Sequence, residues 1–341
     1  MTPITAPSHF RSRLACGALL LALLLAACGG GGGSAPEPPE YAGPFDTIAF
    51  EAQDPEGAHG LYLIEPSVAQ PRQRLLVPEL DPILSPRWSP DGTRIAYLLA
   101  PENRDIELRV VTVESGEAVT VAEVELLYAP SWSPDGTRLA YSDGVLRIYD
   151  LEDGALVDLP EIAAMEVAWS AEDRLAVTDE DGLFLIDPDG SGRETLGSFD
   201  ASGLRWSPDG ERLAYVAGVA ELPEVFAVEP GEEPVALGAG LRPAWSPDGK
   251  QLAFERAAAD APQITDIYAV ALDDGEAVQL TQSITLDEHP SWSPDGARVA
   301  YVARADESTA FVCIADVALR SGDCLSLPEG LEPSTAVWSP E

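Results

Sequence analysis

Five aspartates recur in one string, at Asp91, Asp135, Asp209, Asp248 and Asp295, each preceded by Trp-Ser-Pro and followed by glycine. Carboxylates in such number suit acid–base work or a cation when they converge. Here each holds the same place in its own repeat, so the copies sit one repeat apart and cannot meet on one substrate atom. Ser-Pro-Asp-Gly is turn chemistry instead: proline presets φ, aspartate tolerates the next position, and glycine takes the positive φ that returns the chain. Asp187-Pro188-Asp189-Gly190-Ser191-Gly192 carries the early oxygens of a calcium loop without the later bidentate acid, and reads as a hairpin turn. Outside the first 27 residues the histidines are His59 and His289. HExxH, GxSxG, GxxxxGK and a paired CxxC are absent. No catalytic residue, metal ligand or cofactor is expected.

The elements that position these residues follow from the tryptophans. All seven (Trp88, Trp132, Trp169, Trp206, Trp245, Trp292 and Trp338) are followed by serine, at spacings of 44, 37, 37, 39, 47 and 46 residues. The string WSPDGTRLAY at residues 132–141 is nearly repeated from Trp88, Trp206, Trp245 and Trp292, is worn at Trp169 and is cut short at Trp338. Each copy reads as a strand ending at Trp, a tight turn, a Leu-Ala-Tyr strand, an alternating third strand such as Leu146–Leu151, and a fourth. Short strands at this period indicate propeller blades. The strands missing after Trp338 are supplied by Thr47–Phe50, Gly60–Glu65 and Arg74–Val77, so the last blade is expected to be a composite of both chain ends, which removes an exposed edge. The expectation is an all-β, seven-bladed propeller over residues 45–341. Positions three before each Trp (Ser85, Ala129, Glu166, Gly203, Arg242, His289 and Thr335) then ring the channel mouth. Glu166, Arg242 and His289 are the candidate binding residues there, suited to a peptide terminus, a carboxylate or a sugar, with a merely solvated rim as the alternative.

With 58 acidic and 20 basic residues the formal charge is −38, and Lys250 is the only lysine. Such a surface repels phosphate backbones and anionic lipid, excluding a nucleic-acid partner and membrane adhesion by charge alone. An apolar content of 45% argues for a folded body. Arg11 and Arg13 precede an apolar run, Leu14 to Ala27, whose 14 residues are too few to span a bilayer and read as a secretory signal. Leu25-Ala26-Ala27-Cys28 resembles the bacterial lipobox, which implies cleavage before Cys28 and a diacylglycerol on its thiol. Residues 1–27 are thus a lipoprotein signal and 28–44 a Gly/Pro-rich tether. Gly29 after the cysteine implies the outer membrane in a diderm, or the outer face of the plasma membrane in a monoderm. Cys313 and Cys324, on neighbouring strands in an oxidising compartment, suit a disulfide, or else two packed thiols.

The pattern WSPDG-x-x-[LIV]-A-[YF] resembles the repeat of TolB-type propellers, also found in relatives of prolyl oligopeptidase. The resemblance covers residues 45–341 and implies the fold more than the function. TolB has an α/β domain ahead of its propeller where this chain has a tether, and TolB is not lipidated. The function expected is a monomeric, lipid-anchored extracytoplasmic scaffold that binds a protein or peptide at the cell envelope, and not an enzyme. The alternatives are a polysaccharide lyase and a glycan- or small-ligand-binding lipoprotein.

Overall fold

The computed structural model describes residues 46–66, 73–102, 104–124, 128–219, 222–258, 261–273, 275–306 and 308–340. The signal and tether assigned to residues 1–44, with Cys28, lie outside them. Every regular element described is a β-strand.

Each Ser-Pro-Asp-Gly turn closes in the same way. In the first copy the Ser89 amide donates to Arg94 O and the Gly92 amide to Ser89 O. The Ser89 hydroxyl donates to Asp91 Oδ1 at 2.5 Å and accepts from the Arg94 amide at 3.0 Å. Asp91 Oδ1 also accepts from the Thr93 amide. The serine is buried in every full copy, and Gly92, Gly136, Gly210, Gly249 and Gly296 all take φ between 66 and 74°. The repeated carboxylates are therefore consumed within their own turns.

From these turns the strands run outward as antiparallel sheets. Ile83–Trp88, Arg94–Leu99, Ile106–Thr112 and Ala118–Val124 form one, and equivalent sheets start from the strands ending at Trp132, Trp169 and Trp206. A fifth joins the chain ends: Glu332–Trp338 pairs with Ile48–Gln53, with Trp338 opposite Ile48, and His59–Ile64 and Gln73–Glu79 complete it. The Thr47 amide donates to Ser339 Oγ at 3.2 Å and the Ser339 amide returns a bond to Thr47 O. The composite blade expected from the repeat is thus present.

The count of seven blades is corrected by the hydrogen bonding. Five blades stand as separate four-stranded sheets, whereas the strands from Leu241 to Cys324 make one eight-stranded sheet. The cause lies in Ala261–Ala271, a strand of 11 residues whose Thr265 pairs in parallel with Leu286 of the following inner strand. Thr265 Oγ1 adds a bond to Asp287 O at 3.0 Å. This is also the widest tryptophan spacing, 47 residues from Trp245 to Trp292.

The core lies between successive sheets. Ala96, Leu98, Leu108 and Val110 of one sheet pack with Trp132, Leu139 and Tyr141 of the next. Ile48, Phe50 and Trp338 of the composite blade pack with Ala300, Val302 and Val312. The tryptophans add a polar clasp. Trp88 Nε1 donates to Val337 O, Trp132 to Arg87 O, Trp206 to Ala168 O, Trp245 to Arg205 O and Trp292 to Ala244 O, all at 2.9–3.0 Å. Each acceptor is the carbonyl just before the preceding tryptophan. Two indoles depart from the rule. Trp169 Nε1 turns to Asp173 Oδ1 in its worn turn, and Trp338 Nε1 is buried without a partner. In both cases the residue before the preceding tryptophan is serine, and Ser131 Oγ and Ser291 Oγ accept the main-chain N–H of Trp169 and Trp338 instead. Arginines six places after a tryptophan lie over the next one: Arg94 over Trp132, Arg138 over Trp169 and Arg298 over Trp338, at 4.8–5.4 Å from the ring centre.

Trp132 and Trp338 are matched in burial and in their arginine cover, and differ in the indole bond. Trp132→Phe is expected to cost about 1 kcal/mol more than Trp338→Phe, the net worth of one buried hydrogen bond. Urea unfolding of both variants checks this, and equal losses would remove the clasp as a source of stability.

Candidate functional site

The inner strands do not run regularly to their tryptophans. Pairing slips between Leu84 and Arg87, Ser202 and Arg205, Leu241 and Ala244, and Glu288 and Ser291. Inside each slip one residue takes a positive φ: Ser85 at 51°, Gly203 at 64°, Arg242 at 51° and His289 at 59°. These are four of the positions three before a tryptophan. Gly203 adopts this conformation freely. Ser85, Arg242 and His289 do not, and each precedes a proline, which ordinarily pushes its neighbour to negative φ. Such strain costs on the order of 1–3 kcal/mol per residue and clusters at functional sites. A bulge also re-aims the side chains beside it.

Carboxylates hold two of the bulges in place. Both oxygens of Glu166 accept main-chain N–H groups of the next inner strand, from Gly203 at 2.8 Å and Leu204 at 3.0 Å. Glu255 Oε1 accepts from the His289 amide at 2.6 Å, while its Oε2 accepts from Arg242 Nη1 at 2.6 Å. Burial raises the Glu255 carboxyl, opposed first by the Arg242 charge. Glu288 lies between Arg242 at 3.8 Å and Arg304 at 3.4 Å. In the composite blade, Glu51 accepts from Ser334 Oγ and lies 3.0 Å from His59 Nδ1.

Two cavities open at this mouth. One of about 450 Å³ is lined by Ala129, Glu166 and four tryptophans, Trp88, Trp132, Trp169 and Trp206. The second, about 490 Å³, is lined by Ser85, Arg242, His289, Thr335 and the tryptophans Trp206, Trp245 and Trp292. Arg87, Arg205, Trp206 and Pro208 line both. The three residues singled out from the sequence are therefore not convergent: Glu166 faces the first cavity, and Arg242 and His289 the second. Arg87 and Arg205 were missed, because the position immediately before each tryptophan was not read. That position holds Arg87, Ser131, Ala168, Arg205, Ala244, Ser291 and Val337, and its two arginines are the signal that was available.

Burial is the main force on His289, and the charges of Arg242, Arg87, Arg304 and Arg205 add to it; together they hold its imidazole down at about 3. Loss of hydration, with the Arg205 charge, likewise pulls the Arg87 guanidinium below its usual range, though it stays protonated at neutral pH. Cys313 and Cys324, directly opposed on neighbouring strands at the outer edge, are joined as a disulfide remote in sequence from these bulges. Among the described residues no group of three or more His, Cys, Asp or Glu side chains could hold a metal ion.

The neutral imidazole sets a sign for acid sensitivity. Between pH 6.5 and about 3 an unfolded chain protonates His289 while the folded one does not, so stability falls as the pH drops through this window. Glu51 and Glu255, whose pKa values burial raises, act oppositely, since the folded state takes up their protons first. His289→Gln leaves those carboxylates and removes the first effect. The loss of stability between pH 7 and pH 5 is expected to shrink by on the order of 1 kcal/mol, allowing for partial solvent exposure. Denaturant titrations at the two pH values check this, and parallel declines in both proteins would contradict it.

Residues 164–315 match PD40, the TolB beta propeller domain. No curated protein sequence matches the chain significantly. Among solved structures, TolB from Acinetobacter baumannii is similar at 21% identity and a TM-score of 0.61, over 88% of this chain and 68% of that one. An oligogalacturonate lyase in complex with manganese is similar at 16% identity and 0.63, over 80% and 86%. The β-propeller domain of the Trilobed protease from Pyrococcus furiosus, described as having an open velcro topology, is similar at 15% and 0.61, over 83% and 94%. At these identities the likeness is one of fold. Together with the four-stranded antiparallel blades and their repeated Trp-Ser-Pro-Asp-Gly turns, the match identifies a TolB-like β-propeller module in this chain.

Proposed function

We propose that this protein is a lipid-anchored, extracytoplasmic propeller that serves as a protein- or peptide-binding scaffold at the cell envelope. Arg11, Arg13, the apolar run to Ala27 and Cys28 support export and lipidation, and the tether over residues 28–44 gives the folded body reach. The observation that carries the binding role is the channel mouth. Strained backbone at Ser85, Arg242 and His289 surrounds an open cavity of about 490 Å³, whereas turn aspartates elsewhere are engaged in their own turns. A binding module needs such a preorganised concave face and no reacting group.

The alternative reading is a polysaccharide lyase, favoured by the likeness of fold to an oligogalacturonate lyase and by the cationic lining of the mouth. It requires His289 to exchange a proton. An imidazole held at about 3 is a weak base at neutral pH, which favours the scaffold.

A palmitate analogue is expected to label the wild-type protein in cells, and Cys28→Ala is expected to lose the label and leave the membrane fraction. Undiminished labelling would remove the anchor. A photoreactive residue at Thr335, at the mouth, is expected to cross-link an envelope protein in vivo, while one at the exposed Leu156 on an outer strand is not. Turnover of polygalacturonate that disappears in His289→Ala would instead establish the lyase.

A further inference from the structure

Resting on the binding reading above, we propose that Arg87 and Arg205, at the junction of the two mouth cavities, receive a carboxylate: the C-terminal carboxylate of an extended peptide whose last residues are apolar.

Both arginines have donors left unused. A guanidinium has five N–H groups in a fixed fork that matches a carboxylate. Arg87 donates one side-chain hydrogen bond, from Nη1 to its own neighbour Pro86 O at 3.1 Å. Among the described residues no carboxylate lies within ion-pair distance of it, in a protein with 58 acidic residues. Arg205 donates to Leu204 O, and its nearest carboxylate, Glu166 at 3.7 Å, has both oxygens taken by backbone amides. Two like charges, partly withdrawn from water and lining the same two cavities, repel each other, and the one Glu166 carboxylate beside them offsets this only in part, its charge being outweighed at Arg87 by burial and by Arg205.

The pair is also held in place before any ligand arrives. Trp132 Nε1 donates to the carbonyl of Arg87 and Trp245 Nε1 to the carbonyl of Arg205. The clasp that joins the blades therefore fixes the backbone of both arginines, and each lies directly after a bulge. Donors fixed this way lose little freedom on binding.

The walls select the carrier. Around the guanidinium groups stand Pro86, Pro208, Pro243, Ala244 and the half-buried Trp206. These surfaces suit an apolar extended chain. The net charge of −38 disfavours a polyacidic oligosaccharide, which would meet repulsion along its whole length, whereas a single terminal carboxylate meets the arginines alone.

The test uses the full chain and an N-dansylated Ala-Leu-Pro-Ala tetrapeptide, as the free acid and as the C-terminal amide, read by energy transfer from tryptophan. Saturable transfer is expected for the acid, with the amide at least 10-fold weaker. Arg87→Gln and Arg205→Gln should each weaken the acid about 10-fold and leave the amide unchanged, and Arg87→Lys should fall between through loss of the fork. Arg174→Gln, whose arginine pairs with Asp187 and Glu194, should match wild type. Should Arg87→Gln melt early, Arg205→Gln carries the comparison. Equal affinity for acid and amide, no saturable transfer from either, or unchanged binding in both glutamine variants overturns the assignment. Tighter binding of trigalacturonate than of the peptide acid overturns the peptide as its source. Any of these, with cross-linking at Thr335 retained, refutes the carboxylate receptor alone and leaves the scaffold standing.

Discussion

The fold depends on one contact, an indole N–H reaching across to the carbonyl that precedes the neighbouring tryptophan. A propeller blade is a small twisted sheet that cannot bury both its faces by itself, so its stability comes from the sheet beside it. Apolar packing between blades is non-directional and tolerates sliding. The indole bond is directional, and it sets how far each inner strand lies from the last. Each such bond contributes about 1 kcal/mol net, but leaving its carbonyl unpaired in the interior would cost more. Where serine stands before the preceding tryptophan, as at Ser131 and Ser291, the hydroxyl meets the main-chain N–H and the indole is released. The two forms of clasp are alternatives at the same joint.

The same joint governs the electrostatics of the mouth. A surface with so large a negative excess would be expected to place carboxylates wherever space allows. At the mouth they are turned to internal duties instead: Glu166 and Glu255 accept backbone amides of the bulges, and Glu288 lies between Arg242 and Arg304. Arg87 and Arg205 carry the carbonyls that the indoles grip, and their side chains remain at the cavities. Positive potential is thereby focused at the centre of an acidic molecule, and it adds to the burial that keeps His289 neutral.

What could be read from the chain, and what could not, divides along locality. The turn role of Asp135 follows from its neighbours alone, and hydrogen bonds from Ser133 Oγ and the Thr137 amide hold its carboxyl down at about 2. The composite blade was readable because each repeat carries the same strand order, so the parts absent after Trp338 could be recognised near Ile48. The eight-stranded sheet that leaves five blades in place of seven was not readable, since it turns on a single parallel bridge at Thr265 that no periodicity encodes. The mouth was half readable. Counting three back from each tryptophan found the bulge residues, whose backbones carry the strain, but the two arginines lining both cavities stand at the position after the bulge. A slip of register exchanges which residues face inward, and that slip is invisible in a pattern of types.

Closure and the candidate site share a strand. Glu332–Trp338 supplies the inner strand of the composite blade, and its Thr335, Ala336 and Val337 also wall the second cavity. Val337 O receives the Trp88 indole, and Trp88 adjoins Arg87, so the bond that shuts the ring lies one residue from the unpaired guanidinium. Trp338 itself is held by the Ser291 hydroxyl and by Arg298 above its ring, with its own N–H unspent. Among the described residues, the joint between the composite blade and the strand ending at Trp292 is therefore the one whose tryptophan donates no indole bond. Glu332–Trp338 is thus at once the strand that closes the ring and, through Thr335, Ala336 and Val337, part of the wall of the second cavity, so a change that disturbs one is expected to disturb the other.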